Sequence, residues 1–262
     1  MPLLAVILLC AAFGGVASAA LAVVLLWIPE QRAARLLPHF VSFATGALLG
    51  AALLALLPEA IAGAGVAGAH AIGLTLVAGL GVFFVIEKLV LWWHSEEGRD
   101  GHDHVSHDHG ARERASGVLV LVGDSVHNAL DGVLIAAAFL TSRPLGLVTT
   151  LAVAAHEIPH RLGDFAVLVH AGLGHRRALL LNLATGLAAV VGAAIAWLAL
   201  QRSLRLLPNA LAFAAAGFLY IAVAGLIPGL HRRVDPRTSA VQVLLIGLGI
   251  AMIALAERLA RQ

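Results

Sequence analysis

Two polar stretches, DSVHNALDG (Asp124 to Gly132) and HEIPHRLGD (His156 to Asp164), lie inside segments otherwise apolar enough to cross a bilayer. They constrain the chain more than any other feature. Ionisable groups at lipid depth are costly and persist where they face one another or a cavity. Residues three and four apart share a face of an α-helix. Asp124, His127, Asn128 and Asp131 therefore form one stripe, and His156, His160 and Asp164 another. Two facing stripes of imidazole and carboxylate supply the donors of a metal site.

Composition says what surrounds them. Of 262 residues, 60% are hydrophobic, 12% are charged and 27 are glycine, which excludes an ordinary soluble domain. At about 20 residues per crossing, apolar segments near 3–27, 39–60, 70–93, 117–141, 145–170, 177–200, 208–229 and 239–259 predict an all-α polytopic membrane protein. The prediction is one transmembrane domain over 1–262, with eight spans and the metal site between the fourth and fifth. The first segment has no basic n-region, so it reads as a span and not a removable signal peptide, although Ala17-Ser18-Ala19 imitates a cleavage site. The single cysteine, Cys10, permits no intrachain disulfide and no thiolate metal site.

Arginine sets the expected orientation. The loops after the first, third, fifth and seventh spans hold Arg32, Arg35, Arg99, Arg112, Arg114, Arg176, Arg177, Arg232, Arg233 and Arg237. The other side holds Arg143, Arg202, Arg205, Arg258 and Arg261. By the positive-inside rule both termini lie outside a cell (inner) membrane and the 94–116 loop is cytoplasmic. These basic clusters need no nucleic-acid partner. Trp92 and Trp93 mark the cytosolic interface, beside a paired or snorkelling Glu87 and Lys88.

The polar stretch HSEEGRDGHDHVSHDHGARER, with His102, His104, His107 and His109 among acidic residues, lacks hydrophobic periodicity and is expected to be disordered. Its composition suits loose capture of zinc-like ions. Pro29 and Pro38 bracket a short basic turn, EQRAAR, and Pro58 and Glu59 close the second span. ATGALLG…LLP in the second span is echoed by AAGFLYI…LIP in the seventh, as an inverted three-helix repeat around a central pair would require.

His127 and Asp131 are spaced i, i+4, as are His156 and His160, and four such ligands give the nitrogen and oxygen donors that Zn²⁺ accepts at about 2.0–2.2 Å. Asn128 and Glu157 sit one position round and could make a second, harder, oxygen-rich position. Asp124 and Asp164 lie about a turn away, placed to continue an ion path or to fix the tautomer of a ligand histidine. Pro159 cannot donate to the Ala155 carbonyl and frees it beside the ligands, and Gly132 and Gly163 leave room for a neighbouring backbone. Arg161 would repel an ion beside His160, so it pairs with Asp124 or Asp164 or faces the cytosolic mouth. Asn182 and Thr185 are the notable polar groups of the sixth span.

The eight-span layout, the His-rich loop after the third span, and the motifs HNALDG and HEIPHRLGD resemble the ZIP (Zrt/Irt-like) divalent metal transporters. The likeness is greatest to the subgroup whose fifth span reads HExPHExGD, and it covers essentially the whole chain. It implies a binuclear site, with His127, Asp131, His156 and His160 on the first ion, and Asn128 and Glu157 on the second with one ligand shared. It also implies influx of Zn²⁺, or of Fe²⁺ or Mn²⁺, by a homodimer in which one helix bundle slides against another. Zinc is then cargo and not a cofactor. The chain departs from that pattern at Arg161, where the subgroup has Glu, at Ala51 and Ala55, where many members have Asp and His, and at Gly229, where they have Glu. No carboxylate in the sixth span completes a second position.

An enzyme is the main rival. His156-Glu157-Ile158-Pro159-His160 is formally HExxH, and Leu130-Asp131-Gly132 mimics the LDG of intramembrane zinc proteases. Here LDG precedes HExxH, a proline interrupts the motif, and His127 is a ligand that a catalytic zinc, which keeps an open position, does not need. A channel, or a sensor that binds metal without moving it, completes the alternatives.

Overall fold

The computed structural model describes residues 2–18, 30–96, 109–170, 172–231 and 235–260, and they are helical almost throughout. The elements are α1 (Leu3–Ala12), α2 (Glu30–Gly50), α3 (Leu57–Glu96), α4 (His109–Thr141), α5 (Arg143–His170), α6 (His175–Leu200), α7 (Leu207–Tyr220), α8 (Ile227–Leu230) and α9 (Pro236–Ala260). Among the described residues, four helical stretches are long and apolar enough to cross a membrane: Arg35–Leu89, His175–Leu200, Leu204–Leu230 and Pro236–Leu259. The 55 residues of the first would rise about 80 Å as one rod, more than twice a hydrocarbon core. Gly65 breaks it, with φ 69 and ψ 173, a conformation that glycine adopts at little cost. Neither α4 nor α5 belongs to this set; they carry the ionisable stripes.

The second and seventh apolar segments share a local device. π-Helical turns occupy Ala51–Leu56 and Ile221–Leu226, and Pro58 and Pro228 follow two residues later. A proline has no N–H for the carbonyl four residues back. The helix instead widens to i→i−5 pairing: Leu57 N–H donates to Ala52 O and Ile227 N–H to Ala222 O. The sequence echo thus has a structural counterpart. The most extensive pairings, α4 on α6, α3 on α7 and α2 on α9, also fit an inverted repeat, because exchanging the first three helical segments with the last three turns α3 on α7 into α9 on α2.

Packing rests on small residues, as it must where lipid is as apolar as leucine. A Cβ on Gly132 would lie 1.8 Å from Ala189 O, and one on Gly192 2.0 Å from Ala129 O, so α4 and α6 touch backbone to backbone. Gly46 against Ile246 O (2.1 Å) and Gly249 against Phe43 O (2.3 Å) do the same for α2 and α9. Leu134 to Phe139 of α4 are buried on every side, so α4 is central. Val243, Leu244 and Leu248 of α9 point outward, as on a lipid-facing side, while Ile253 is buried in the core.

Several expected boundaries move. Glu30–Arg35, expected as a turn, begins α2, and Pro38 lies inside that helix; Glu, Gln, Arg and Ala are strong helix formers. The polar stretch after the third span is helical at both ends, with α3 running to Glu96 and α4 starting at His109. His102, His104 and His107 lie outside the described residues, as does the side chain of His109. Of the two glycines expected to leave room beside the ligands, Gly132 meets a neighbouring backbone, whereas a Cβ on Gly163 would have nothing within 4 Å.

Candidate metal centre

The facing stripes of α4 and α5 meet. His127 and Asp131 of α4 and His156 and Glu157 of α5 place one donor atom each within 4.8 Å of all the others. His127 Nε2 is 3.3 Å from His156 Nε2, and Asp131 Oδ2 is 3.3 Å from His156 Nε2 and 3.7 Å from His127 Nε2. Glu157 Oε2 is 3.7 Å from His127 Nε2 and 4.0 Å from His156 Nε2. A tetrahedral ion with ligands at about 2.0–2.2 Å spaces them about 3.3–3.6 Å apart; four of these five gaps fall within about 0.1 Å of that range, and the Glu157–His156 gap of 4.0 Å lies beyond it.

The surroundings prepare the donors. His156 Nδ1 lies 3.1 Å from Ala152 O, one turn back. With the proton on Nδ1 donated there, the Nε2 lone pair faces the cluster. Asp131, His156 and Glu157 are buried, and Asp131 Oδ2 and Glu157 Oε2 receive no hydrogen bond. Buried oxygens are rarely left so; here they converge on two imidazole nitrogens. Phe218 of α7 closes one side, its ring edge-on to His156 at 6.1 Å.

His160, expected in the four-ligand set, stands in a neighbouring group with Asp124 and Asp164. Its Nδ1 lies 2.9 Å from Asp164 Oδ2 and 3.7 Å from Asp124 Oδ1, and its ring stacks on His127 at 4.9 Å. Glu157, expected on a second ion, lies in one group with His127, Asp131 and His156. His160 also faces α4, where its ring stacks on His127, but it lies one turn further along α5 than His156 and directs Nδ1 at Asp164.

Arg161 turns inward and is fully buried. Its Nη1 donates to Asp124 Oδ2 (2.8 Å), Asn182 O (2.6 Å) and Thr185 Oγ1 (2.5 Å), and its Nη2 to Asn128 Oδ1 (2.7 Å). Nε lies 2.8 Å from Glu157 Oε1. Asn128 Nδ2 in turn donates to Asp124 Oδ1 at 2.8 Å. Asn182 and Thr185 had no role to play from sequence alone. Their i, i+3 spacing on an otherwise apolar helix was the available sign that they face a polar partner.

A cavity of about 540 Å³ reaches the site from one side, lined by Phe83, Val126, His127, Leu130, His160 and Tyr220 among others. Glu87, expected to be paired, accepts a hydrogen bond from Tyr220 at its wall. Lys88 lies over the Phe84 ring.

Comparison with known proteins gives a consistent set. The profile of a family described as ZIP Zinc transporter matches residues 2–257. The chain is 36% identical over 232 residues to zinc transporter ZIP13 of Pongo abelii, covering 84% of this chain and 66% of that protein. It is 34% identical to human zinc transporter ZIP4, covering 77% of this chain and 40% of that one, and 38% identical over 157 residues to the rat zinc transporter SLC39A7. The chain spans about two thirds of the ZIP13 relative and less of the other two.

Proposed function

The chain belongs to the ZIP family of zinc transporters, and from that premise we propose that it carries divalent metal cations, Zn²⁺ foremost, across a lipid bilayer to the cytosol. A transporter family is not an enzyme class, and the hydrolase reading finds no support: His160, the second histidine of HExxH, stands in the neighbouring group and not in the four-donor cluster.

One observation carries the proposal. Two buried carboxylate oxygens without hydrogen bonds, Asp131 Oδ2 and Glu157 Oε2, face two imidazole nitrogens at 3.3–4.0 Å, close to the separations in a tetrahedral ion's ligand shell. Two nitrogens with two carboxylate oxygens suit zinc; Mn²⁺ favours oxygen-rich octahedra, and Fe²⁺ binds such sites more weakly.

In this reading the ion sheds water to His127, Asp131, His156 and Glu157. Asp124, His160 and Asp164 form the next station, and the cavity past His127 and His160 is part of the way out, toward the cytosolic loop with His102, His104, His107 and His109. Asn128 positions Arg161 and Asp124 without binding the ion. Eight spans with both termini outside, a homodimer, and movement of one helix bundle against another complete the proposal. The eight-span count is supported by the break at Gly65, and the orientation by the arginine distribution. Protonation of the histidines competes with metal, so outside acidity lowers uptake.

Proteoliposomes loaded with a zinc indicator test this. Saturable influx that Asp131→Ala abolishes, with the variant still folded, is expected. Influx unchanged by Asp131→Ala would refute the site, and no influx of Zn²⁺, Fe²⁺ or Mn²⁺ would refute transport.

A further inference from the structure

Arg161 is the largest fully buried side chain among the described residues, and it lies where a second cation would have its ligands. Asn128 Oδ1 at 2.7 Å, Glu157 Oε1 at 2.8 Å and Asp124 Oδ2 at 2.8 Å all point at its guanidinium. These are oxygen donors from two helices converging on one positive charge. Such a set suits a hard divalent ion. It equally suits the planar fork of arginine.

We infer that Arg161 is a resident cation, tethered to the chain, which fills the second of two cation positions, so that the core holds a single divalent ion. The inference rests on the proposed four-donor site and deepens it. Glu157 joins the two positions: Oε1 meets Arg161, and Oε2 is left for the ion. Of the groups that touch either position, Asp124, Asp131 and Glu157 bring three negative charges when ionised, the guanidinium removes one, and one divalent ion neutralises the remaining two with His127 and His156 neutral; Asp164 pairs with His160 outside both positions. A second divalent ion would leave a buried surplus of positive charge, at the cost that such charges carry in low dielectric.

The third helix of the cluster is built for this occupant. On α6, Asn182 O and Thr185 Oγ1 accept from Nη1, and Asn182 Nδ2 donates back to Arg161 O at 3.1 Å. A Cβ on Gly186 would come 2.8 Å from Gly15 O and 3.1 Å from Nη2, so glycine here admits both a neighbouring backbone and the guanidinium. Neither Asn182 nor Thr185 is a carboxylate. The sixth span therefore adds neutral acceptors to a site already occupied by a cation, and no further negative charge to attract another ion. The oxygen-rich position being closed, ions that need many oxygen ligands have only the two-nitrogen, two-oxygen cage to use.

The test counts bound zinc by equilibrium dialysis and elemental analysis on the full chain. His102, His104, His107 and His109 are replaced by serine throughout, so that the loop does not contribute. The expected result is one zinc per chain in this background, none with Asp131→Ala, two with Arg161→Gln, which opens the second position, and one with Arg161→Lys, which keeps the charge. Two zinc ions in the unaltered core would overturn the inference, as would a folded Arg161→Gln that still binds one. Should Arg161→Gln fail to fold, the count in the unaltered core decides alone: one sustains the inference and two overturns it. Zinc binding that Asp131→Ala leaves untouched would overturn the four-donor site itself, and the inference with it, a result distinct from a changed count.

Discussion

Gly132 sits one residue beyond Asp131 of the proposed site, at the place where α4 and α6 meet backbone to backbone. In Gly132→Ala the added methyl carbon would lie 1.8 Å from Ala189 O and 2.7 Å from its carbonyl carbon. A normal contact needs roughly 3.3 Å or more, so the helices must part by more than an ångström along the most extensive pairing in the fold. Overpacking a rigid contact costs about 3 kcal/mol, the upper part of the usual range, because backbone and not a flexible side chain must yield. For a chain of this size that is a fall of about 6–12 °C in Tm. The displaced helix carries His127 and Asp131, and metal ligands tolerate displacements of only about 0.2 Å, so zinc uptake should fall by far more than the amount of folded protein does. Gly163→Ala is the control. That glycine is helical, exposed and has nothing within 4 Å of a new Cβ, so the variant should gain up to about 1 kcal/mol from helix propensity and keep its uptake. Thermal unfolding in lipid nanodiscs and uptake in proteoliposomes read both effects. A Gly132→Ala protein with unchanged Tm and uptake would refute the packing argument.

Three further outcomes are expected. His156→Ala should sharply weaken zinc binding, whereas His160→Ala, which alters the neighbouring group, should keep most of the affinity and slow transport; equal losses of affinity in isothermal titration would contradict the separation into two groups. Tyr220→Phe removes the hydrogen bond to Glu87 at the cavity wall and should change transport rate with the zinc count unaltered; a changed count would contradict it. Asp235 caps α9 through Thr238 N–H at 2.9 Å, which holds its carboxyl below the ordinary value. Because the folded state favours the ionised form, the stability it adds is present at neutral pH and is lost as pH falls below about 4. The Tm gap between the unaltered chain and Asp235→Ala should therefore close on acidification, and a gap that widens would refute the cap.

Sequence and structure agree where periodicity and composition speak, and part where the phase of one helix against another decides. The apolar runs located the helices, and the stripes on Asp124–Asp131 and His156–Asp164 located the polar centre between α4 and α5. Their internal division was not legible. His156 and His160 are related by i, i+4 and Glu157 is one position off that line, so spacing alone favours the two histidines; in the structure Glu157 Oε2 reaches His127 and His156, while His160, one turn further along α5, directs Nδ1 at Asp164. Arg161 had several candidate partners because those it meets lie on two other elements, Asp124 and Asn128 on α4 and Asn182 and Thr185 on α6, far apart in the chain. The start of α2 was obscured by Pro29 and Pro38, which mark turns in most contexts, although Pro38 is held inside a helix here.

Whether a single ion is held by His127, Asp131, His156 and Glu157 can be read directly by X-ray absorption at the zinc edge. The sample is the full chain with the four loop histidines replaced and one equivalent of zinc bound. About four ligands at about 2.0–2.1 Å are expected, with imidazole scattering corresponding to two histidines that falls by half in His156→Ala. Five or six oxygen-dominated ligands, or a spectrum that His156→Ala leaves unchanged, would contradict the four-donor site.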